Sequence, residues 1–321
     1  MTLRAYLGST QGDLRRALFQ AFEYVGLLDA LAKSGKIFVK PNFTFPRPLP
    51  GVTTSREILQ PTLELLSETG VEVFVGESNG GYGSFTAEEA FRGHELYDIC
   101  RETRTVPLNL SQAESREYHA WVMGRRISVR LPRFLVEEVD ITLSVPVLKV
   151  HAMTTVSLAV KNLWGCYPID LRLLRHAQLG RELRLIVDLV KARYGLIDAT
   201  HGLDRHGPMD GMPRRLGKFL MGNDPYALDW IAAKMMGLRS ERIHHLRMIP
   251  SETLASIRRR EIESNAEIDR VNWGFAIDLN VIDTLSLACF HSDILAKLVF
   301  NSPFTKPIYM VAGRKPRRKL T

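Results

Sequence analysis

Short apolar runs that each stop at an ionisable side chain punctuate this chain. Ile37–Val39 stops at Lys40, Val71–Gly76 at Glu77, Val139–Leu148 at Lys149, Leu196–Ile197 at Asp198, and Phe219–Asn223 at Asp224. Runs of this length, bounded by turn residues, are read as strands. Helical periodicity fills the gaps. Asp13 precedes Leu14, Leu18, Phe22 and Val25 at near-helical spacing, and Thr54 or Ser55 opens a helix that runs through Pro61 to Leu66 and closes at Gly70. Thr86 and Glu89 have the spacing of a capping box. Strand alternating with helix predicts an α/β fold with a mostly parallel central sheet flanked by helices. In such sheets ligands bind beyond the carboxyl ends of the strands, so two lysines and three carboxylates are expected to converge there.

Two stretches depart from this rhythm. Tyr118, Ala120 and Val122 alternate before Met123-Gly124, and Ile127, Val129 and Leu131 alternate after it, which predicts a β-hairpin excursion near 118–131. Val139–Leu148 is nearly continuous in apolar character, as expected of a strand buried on both faces, and leads into Lys149-Val150-His151. From Thr154 to Leu163 the offsets of Thr154, Ser157 and Lys161 predict one face of a helix, with Lys161 a lone ammonium among apolar neighbours. A desolvated lysine there acts as a base or amine nucleophile, a paired one holds an anion, and a snorkelling one only complements the helix terminus.

Composition narrows the class. With 321 residues, 45% hydrophobic and 24% charged, the chain sits at globular averages. No run approaches the ~20 apolar residues of a spanning helix, and no secretory signal is visible. Three widely spaced cysteines, Cys100, Cys166 and Cys289, form neither a disulfide framework nor a metal knuckle. A cytoplasmic location is therefore expected. The net charge of +8 is concentrated, since Arg314, Lys315, Arg317, Arg318 and Lys319 lie in the last eight residues. Such a tail attracts polyanions without recognising them, and no nucleic-acid module accompanies it. Residues 1–240 are expected to form the α/β core domain carrying the site, and 241–321 a C-terminal helical extension with an apolar stripe near Leu287 and the basic tail.

The candidate chemistry has bland alternatives. Lys40 and Asn42 flank Pro41 where a strand stops, and Asn also turns a chain by bonding its own backbone. Glu77, followed by Ser78 in a glycine-rich loop, serves as base, ligand or ion-pair partner. His151 can shuttle protons or simply hydrogen-bond. Asp224 before Pro225 has the pattern of a helix cap. Arg175 and His176 belong to a basic cluster suited to gripping a carboxylate or phosphate, or to a solvated face. His176, His201 and His206 match no standard metal spacing, so the metal question stays open.

The motifs Lys40-Pro41-Asn42, Gly51-Val52-Thr53-Thr54-Ser55, Gly76-Glu77-Ser78, Pro146 to His151, Ser157 through Lys161-Asn162-Leu163-Trp164-Gly165, Asp198, Gly207-Pro208, and Gly222-Asn223-Asp224-Pro225 with Asp229 together resemble the domain of unknown function 362 family. Many members carry a ferredoxin-like module with Cys-x-x-Cys runs. This chain has none, so no iron–sulfur cluster is expected, and no other cofactor is named. The resemblance implies that Lys40, Asn42, Glu77, Lys149, His151, Lys161, Asn162, Asp198 and Asp224 gather in one cleft. The expectation is an enzyme for a small anionic metabolite, a carboxylate or phosphate, using lysine, carboxylate and histidine acid-base chemistry. Lys149, His151, Lys161, Glu77 and Asp198 are its catalytic candidates. Lys40, Asn42, Ser78, Asn162, Asp224, Arg175 and His176 are its binding candidates. Isomerase, lyase and oxidoreductase reactions all stay open. The alternatives are a redox accessory protein docking a separate ferredoxin or reductase, and a non-specific nucleic-acid binder acting through the tail. A homodimer is compatible with either.

Overall fold

The computed structural model describes residues 2–169 and 172–279. The apolar stripe near Leu287, Cys289 and the basic tail lie outside the described residues. The chain opens with strand β1 (Leu3–Ser9), helices α1 (Leu14–Tyr24) and α2 (Leu27–Leu31), and strand β2 (Lys36–Pro41). Helix α3 (Arg56–Ser67) and β3 (Glu72–Glu77) follow, then α4 (Ala87–Gly93), α5 (Leu96–Thr103) and β4 (Val106–Asn109). The caps are those the sequence announces. Asp13 accepts from Arg16 N, Ser55 from Ile58 N, and Thr86 and Glu89 complete their reciprocal box.

The expected hairpin is present as β5 (Ser115–Val122) and β6 (Arg125–Pro132), a separate two-stranded sheet. Its turn places Met123 and Gly124 both at positive φ, the twist that a two-residue hairpin favours. Helix α6 (Arg133–Glu137) returns the chain to β7 (Ile141–Val145). Pro146 then splits the long apolar run, and β8 (Val147–His151) continues beyond the main sheet.

The helix predicted over 154–163 is corrected here. Residues Thr155–Ser157 form β9, which pairs antiparallel with β8 and opposes Lys149 to Ser157 and His151 to Thr155. Only Ala159–Asn162 turn into a helix, α7. A three-residue turn over 152–154 closes the hairpin, Thr155 opens β9 at φ +68°, and the β-branched Val156 favours the extended backbone that follows. Thr154, Ser157 and Lys161 therefore share no helix face.

Helix α8 (Leu179–Leu189), the long strands β10 (Ala192–Asp204) and β11 (Met212–Gly222), helices α9 (Pro225–Met235) and α10 (Ser251–Arg258), and strand β12 (Ile262–Ser264) complete the chain. The sheet order is β12-β1-β11-β10-β7-β2-β3-β4, with β8 pairing β10 and β9. Along the main path β11 alone runs against its neighbours, so the sheet is mostly parallel, as expected. One apolar layer packs α1 and α3 against Ile37, Val39 and Val75, and the other packs α8 and α9 against Phe38, Leu148 and Ile197. Ile243, Leu246 and Ile257 join this second layer and β12 extends the sheet beside β1, so residues 241–279 pack on the same scaffold.

The reversal of β11 removes Asp224 from the site. Phe219 lies opposite Asp198 and Gly222 opposite Gly195, so β11 ends at the amino edge of β10. Asp224 is there the cap of α9, accepting from Ala227 N at 2.8 Å and from Thr253 Oγ1 at 3.0 Å. Asp224→Ala is expected to cost about 1–2 kcal/mol of stability, measured by urea denaturation, with ligand affinity unchanged.

Candidate functional site

Period-two alternation sends Lys40 to the face that carries Phe38, and the end of β3 brings Glu77 beside it. Both are buried, and Lys40 Nζ is ion-paired to Glu77 Oε2. Lys40 also donates to Pro41 O at 2.7 Å, while Glu77 accepts from Ser78 N at 3.0 Å. Gly165 closes the pair from above. A Cβ there would lie 2.5 Å from Glu77 Oε1 and 2.8 Å from Lys40 Cε, so any side chain would have to displace the pair. Asn162 donates to Lys40 O and to Ser144 Oγ, which ties α7 to the ends of β2 and β7. Asp229, buried on α9, accepts from Ala159 N at 2.7 Å and Val160 N at 2.9 Å and so caps the short α7. Burial holds its carboxyl well above the usual range, although those two bonds pull the other way.

Lys149 lies deeper. Its ammonium donates to Val52 O at 2.8 Å, and no carboxylate is bonded to it. Burial, then the nearby Lys161 ammonium, pull it down to about 7 against the attraction of Glu77. Lys161 is only partly buried by surface but crowded on most sides by protein atoms. Burial, with the Arg172 guanidinium adding to it, brings it also to about 7. Its ammonium lies 5.6 Å from the centre of the Trp164 ring, a cation–π distance. His151, on β8 beside them, accepts from Met153 N through Nδ1 at 3.1 Å. That bond leaves its proton on Nε2. Burial and the surrounding Lys161, His176, Lys149 and His245 hold His151 well below the usual histidine range, so the ring is neutral.

Lys40, Glu77, Ser78, Lys149, His151, Lys161, Asn162 and His176 are thus gathered at one rim, His176 edge-on to Trp164 at 4.7 Å. The other candidates have structural work. Asp198 Oδ2 accepts from Ser55 N and Oδ1 from Thr200 N, so both oxygens are committed to backbone. Asn42 accepts from Thr44 N, the self-turn weighed against a binding role. Arg175 bonds the buried Glu182 and the Ser128 carbonyl, fastening the hairpin to α8.

Three contributors were not among the named candidates. Arg172 links Ser78 Oγ and Asn79 O to the turn after Trp164. His245 is fully buried, neither ring nitrogen has a hydrogen-bond partner among the described residues, and burial with Lys161 pulls it down to about 3. Trp164 Nε1 is likewise unpartnered. The signal for His245 was faint, a histidine doublet between Ile243 and Leu246 in an irregular stretch. Among the described residues no three His, Cys, Asp or Glu side chains converge to hold a metal ion, and Cys100 and Cys166 are separate buried thiols.

An open, mostly parallel α/β sheet with a lysine-rich rim at its carboxyl edge defines the class. Residues 37–234 match the family described as domain of unknown function (DUF362), and the chain belongs to that family. It is 26% identical to the thylakoid-associated protein sll1697 of Synechocystis sp. over 243 residues, covering 71% of each chain. A Thermotoga maritima crystal structure from a structural genomics target aligns at 14% identity with a TM-score of 0.37, over 63% of this chain and 54% of that one.

Gly165→Ala is expected to force Lys40 and Glu77 apart and to cost roughly 2–4 kcal/mol, read by chemical denaturation; wild-type stability would mean the pair yields easily. The second expectation concerns pH. A lysine whose folded pKa lies below its unfolded value binds fewer protons folded than unfolded between the two, so stability rises with pH across that window. For Lys149 the window is about 7 to 10.5. Lys149→Met should flatten the rise in stability between pH 7 and 9.5 by up to ~1.4 kcal/mol per pH unit, followed by thermal melts at both ends.

Proposed function

We propose that the protein is an enzyme whose rim binds a small anionic metabolite, with Lys149 and Lys161 as the anion-facing amines that exchange protons and His151 as a neutral hydrogen-bond donor. The observation that carries this is the charge balance of a buried group of side chains. Three lysines meet with one carboxylate bonded among them, and that carboxylate is committed to Lys40. Burying unpaired ammonium groups is costly, and an anionic ligand supplies the compensation the fold withholds. Lysines at about 7 next to a neutral histidine also give donors and acceptors near the working pH of general acid-base catalysis.

Cytoplasmic residence belongs to this proposal, supported by the free thiols of Cys100 and Cys166. The Synechocystis relative is named for thylakoids, and the two settings are compatible for a protein that acts beside a membrane. Among the described residues no helix is long and apolar enough to cross one. Binding of nucleic acid leans on a basic tail outside the described residues.

Calorimetric titration at pH 7 with inorganic phosphate and with malonate tests the proposal. At least one of the two should bind, and Lys149→Met and Lys161→Met should each weaken it about tenfold or more, the loss of a charge-assisted hydrogen bond. Circular dichroism reports whether each variant is folded. Folded variants that bind as the wild type does, or a wild type that binds neither anion, would overturn the assignment.

A further inference from the structure

One amine at the rim has no structural employment. Lys40 is spent on Glu77 and Pro41 O, and Lys149 on Val52 O. Lys161 makes no hydrogen bond and no ion pair among the described residues, and its ammonium faces only the Trp164 ring at 5.6 Å. The charges acting on it are of its own sign, from Lys149 on β8 and from Arg172 after the Trp164 turn. Part of the residue's surface remains open. Structural lysines are held by an acceptor or extend to water. No acceptor among the described residues holds Lys161, yet Asp229 and Asn162 fix its short helix firmly from both sides.

Building on the anion-binding reading above, we propose that Lys161 is an amine nucleophile that forms an imine with the carbonyl of a small oxo acid whose carboxylate is held by Lys149 and Arg172. A desolvated lysine beside another cation is the arrangement that keeps an amine unprotonated near neutrality. The Nζ lone pair forms a bond to the carbonyl carbon as the carbonyl electron pair moves to oxygen. That oxygen takes a proton, and the amine nitrogen gives one up. The resulting carbinolamine loses its hydroxyl as water when a second proton reaches it, the nitrogen lone pair closes the C=N bond, and nitrogen then sheds its second proton, which replaces the one supplied. Lys149, whose ammonium is pulled down to about 7, is the acid that gives that proton and recovers the one nitrogen sheds, while the Nε2–H of neutral His151, oriented by the Met153 N–H on Nδ1, donates a hydrogen bond to the departing oxygen. The sum is amine plus carbonyl to imine plus water, and no oxidant or reductant is required. His245, buried with two unpartnered ring nitrogens, adds hydrogen-bonding capacity for the departing oxygen.

Glyoxylate, the smallest oxo acid, is the probe. Full-length protein is incubated with glyoxylate and cyanoborohydride at pH 7, where hydride reduces any imine to a stable carboxymethyl-lysine, and peptides are mapped by mass spectrometry. Lys161 should be marked about 10–100 times faster than the exposed Lys33, because near pH 7 its neutral fraction exceeds that of an ordinary lysine by about a thousandfold while its intrinsic nucleophilicity is lower. Malonate should protect it. Lys161→Arg should lose the mark and still bind malonate. Marking of Lys161 no faster than Lys33 overturns the imine even when malonate binds, and then the anion site stands without it. Marking without malonate binding or protection overturns the oxo-acid assignment. Failure of both overturns the oxo-acid reading, and the anion-binding reading falls with it when phosphate also fails to bind.

Discussion

Lys40 and Glu77 are buried charges of opposite sign in contact, and the rim is arranged around keeping them so. Removing either partner would strand the other in a medium of low polarity, a cost of about 3–5 kcal/mol in comparable buried pairs. Pro41 O and Ser78 N absorb the remaining hydrogen-bonding capacity, and Gly165 presses on the pair with backbone alone. The consequence extends to the neighbours. Because Glu77 is already committed, Lys149 and Lys161 stand near one another with no carboxylate among the described residues bonded to either. Burial first, and the like charges beside them second, weaken their hold on protons, which turns a stabilising contact into a chemical environment.

Strand direction decides which ionisable groups belong to that environment. Asp198 and Asp224 end similar apolar runs and look equivalent in one dimension. In the fold they sit at opposite edges, since β10 and β11 run in opposite senses. Asp198 reaches the rim but spends both oxygens on the Ser55 and Thr200 N–H groups, where it closes the start of α3 against β10. Asp229, by contrast, touches no part of the Lys40–Glu77 pair and yet sets where Lys161 stands, by capping α7 through two backbone bonds.

Much of this was legible in one dimension. The strands carrying Lys40 and Glu77, the caps at Asp13, Ser55 and Thr86, and the hairpin around Met123-Gly124 follow from local propensity that the tertiary structure does not override. The misread stretch, Thr154 to Leu163, has apolar residues that satisfy a helical period and β-branched residues that favour a strand. Pairing with β8 decided in favour of the strand for its first part. The sense of β11 was hidden because the turn-rich stretch between Leu203 and Met212 is equally compatible with a return or a crossover. His245 was hidden for a different reason: its place beside Lys161 is fixed by packing of a distant irregular segment, and no local pattern encodes a contact of that kind.

The loop between Leu49 and Ser55 has a bearing on how the molecule comes together. It is pinned by Thr54 to Val145, by Val52 to Lys149 and by Ser55 to Asp198, contacts that span 91, 97 and 143 positions of the chain. Loop-closure entropy makes such distant pairings late events in folding. During synthesis the amino-terminal strands emerge long before their fastening points do. A nascent polypeptide therefore holds its lysines unsheltered and hydrated, and the chamber takes on its chemical character only when β10 has left the ribosome and docked.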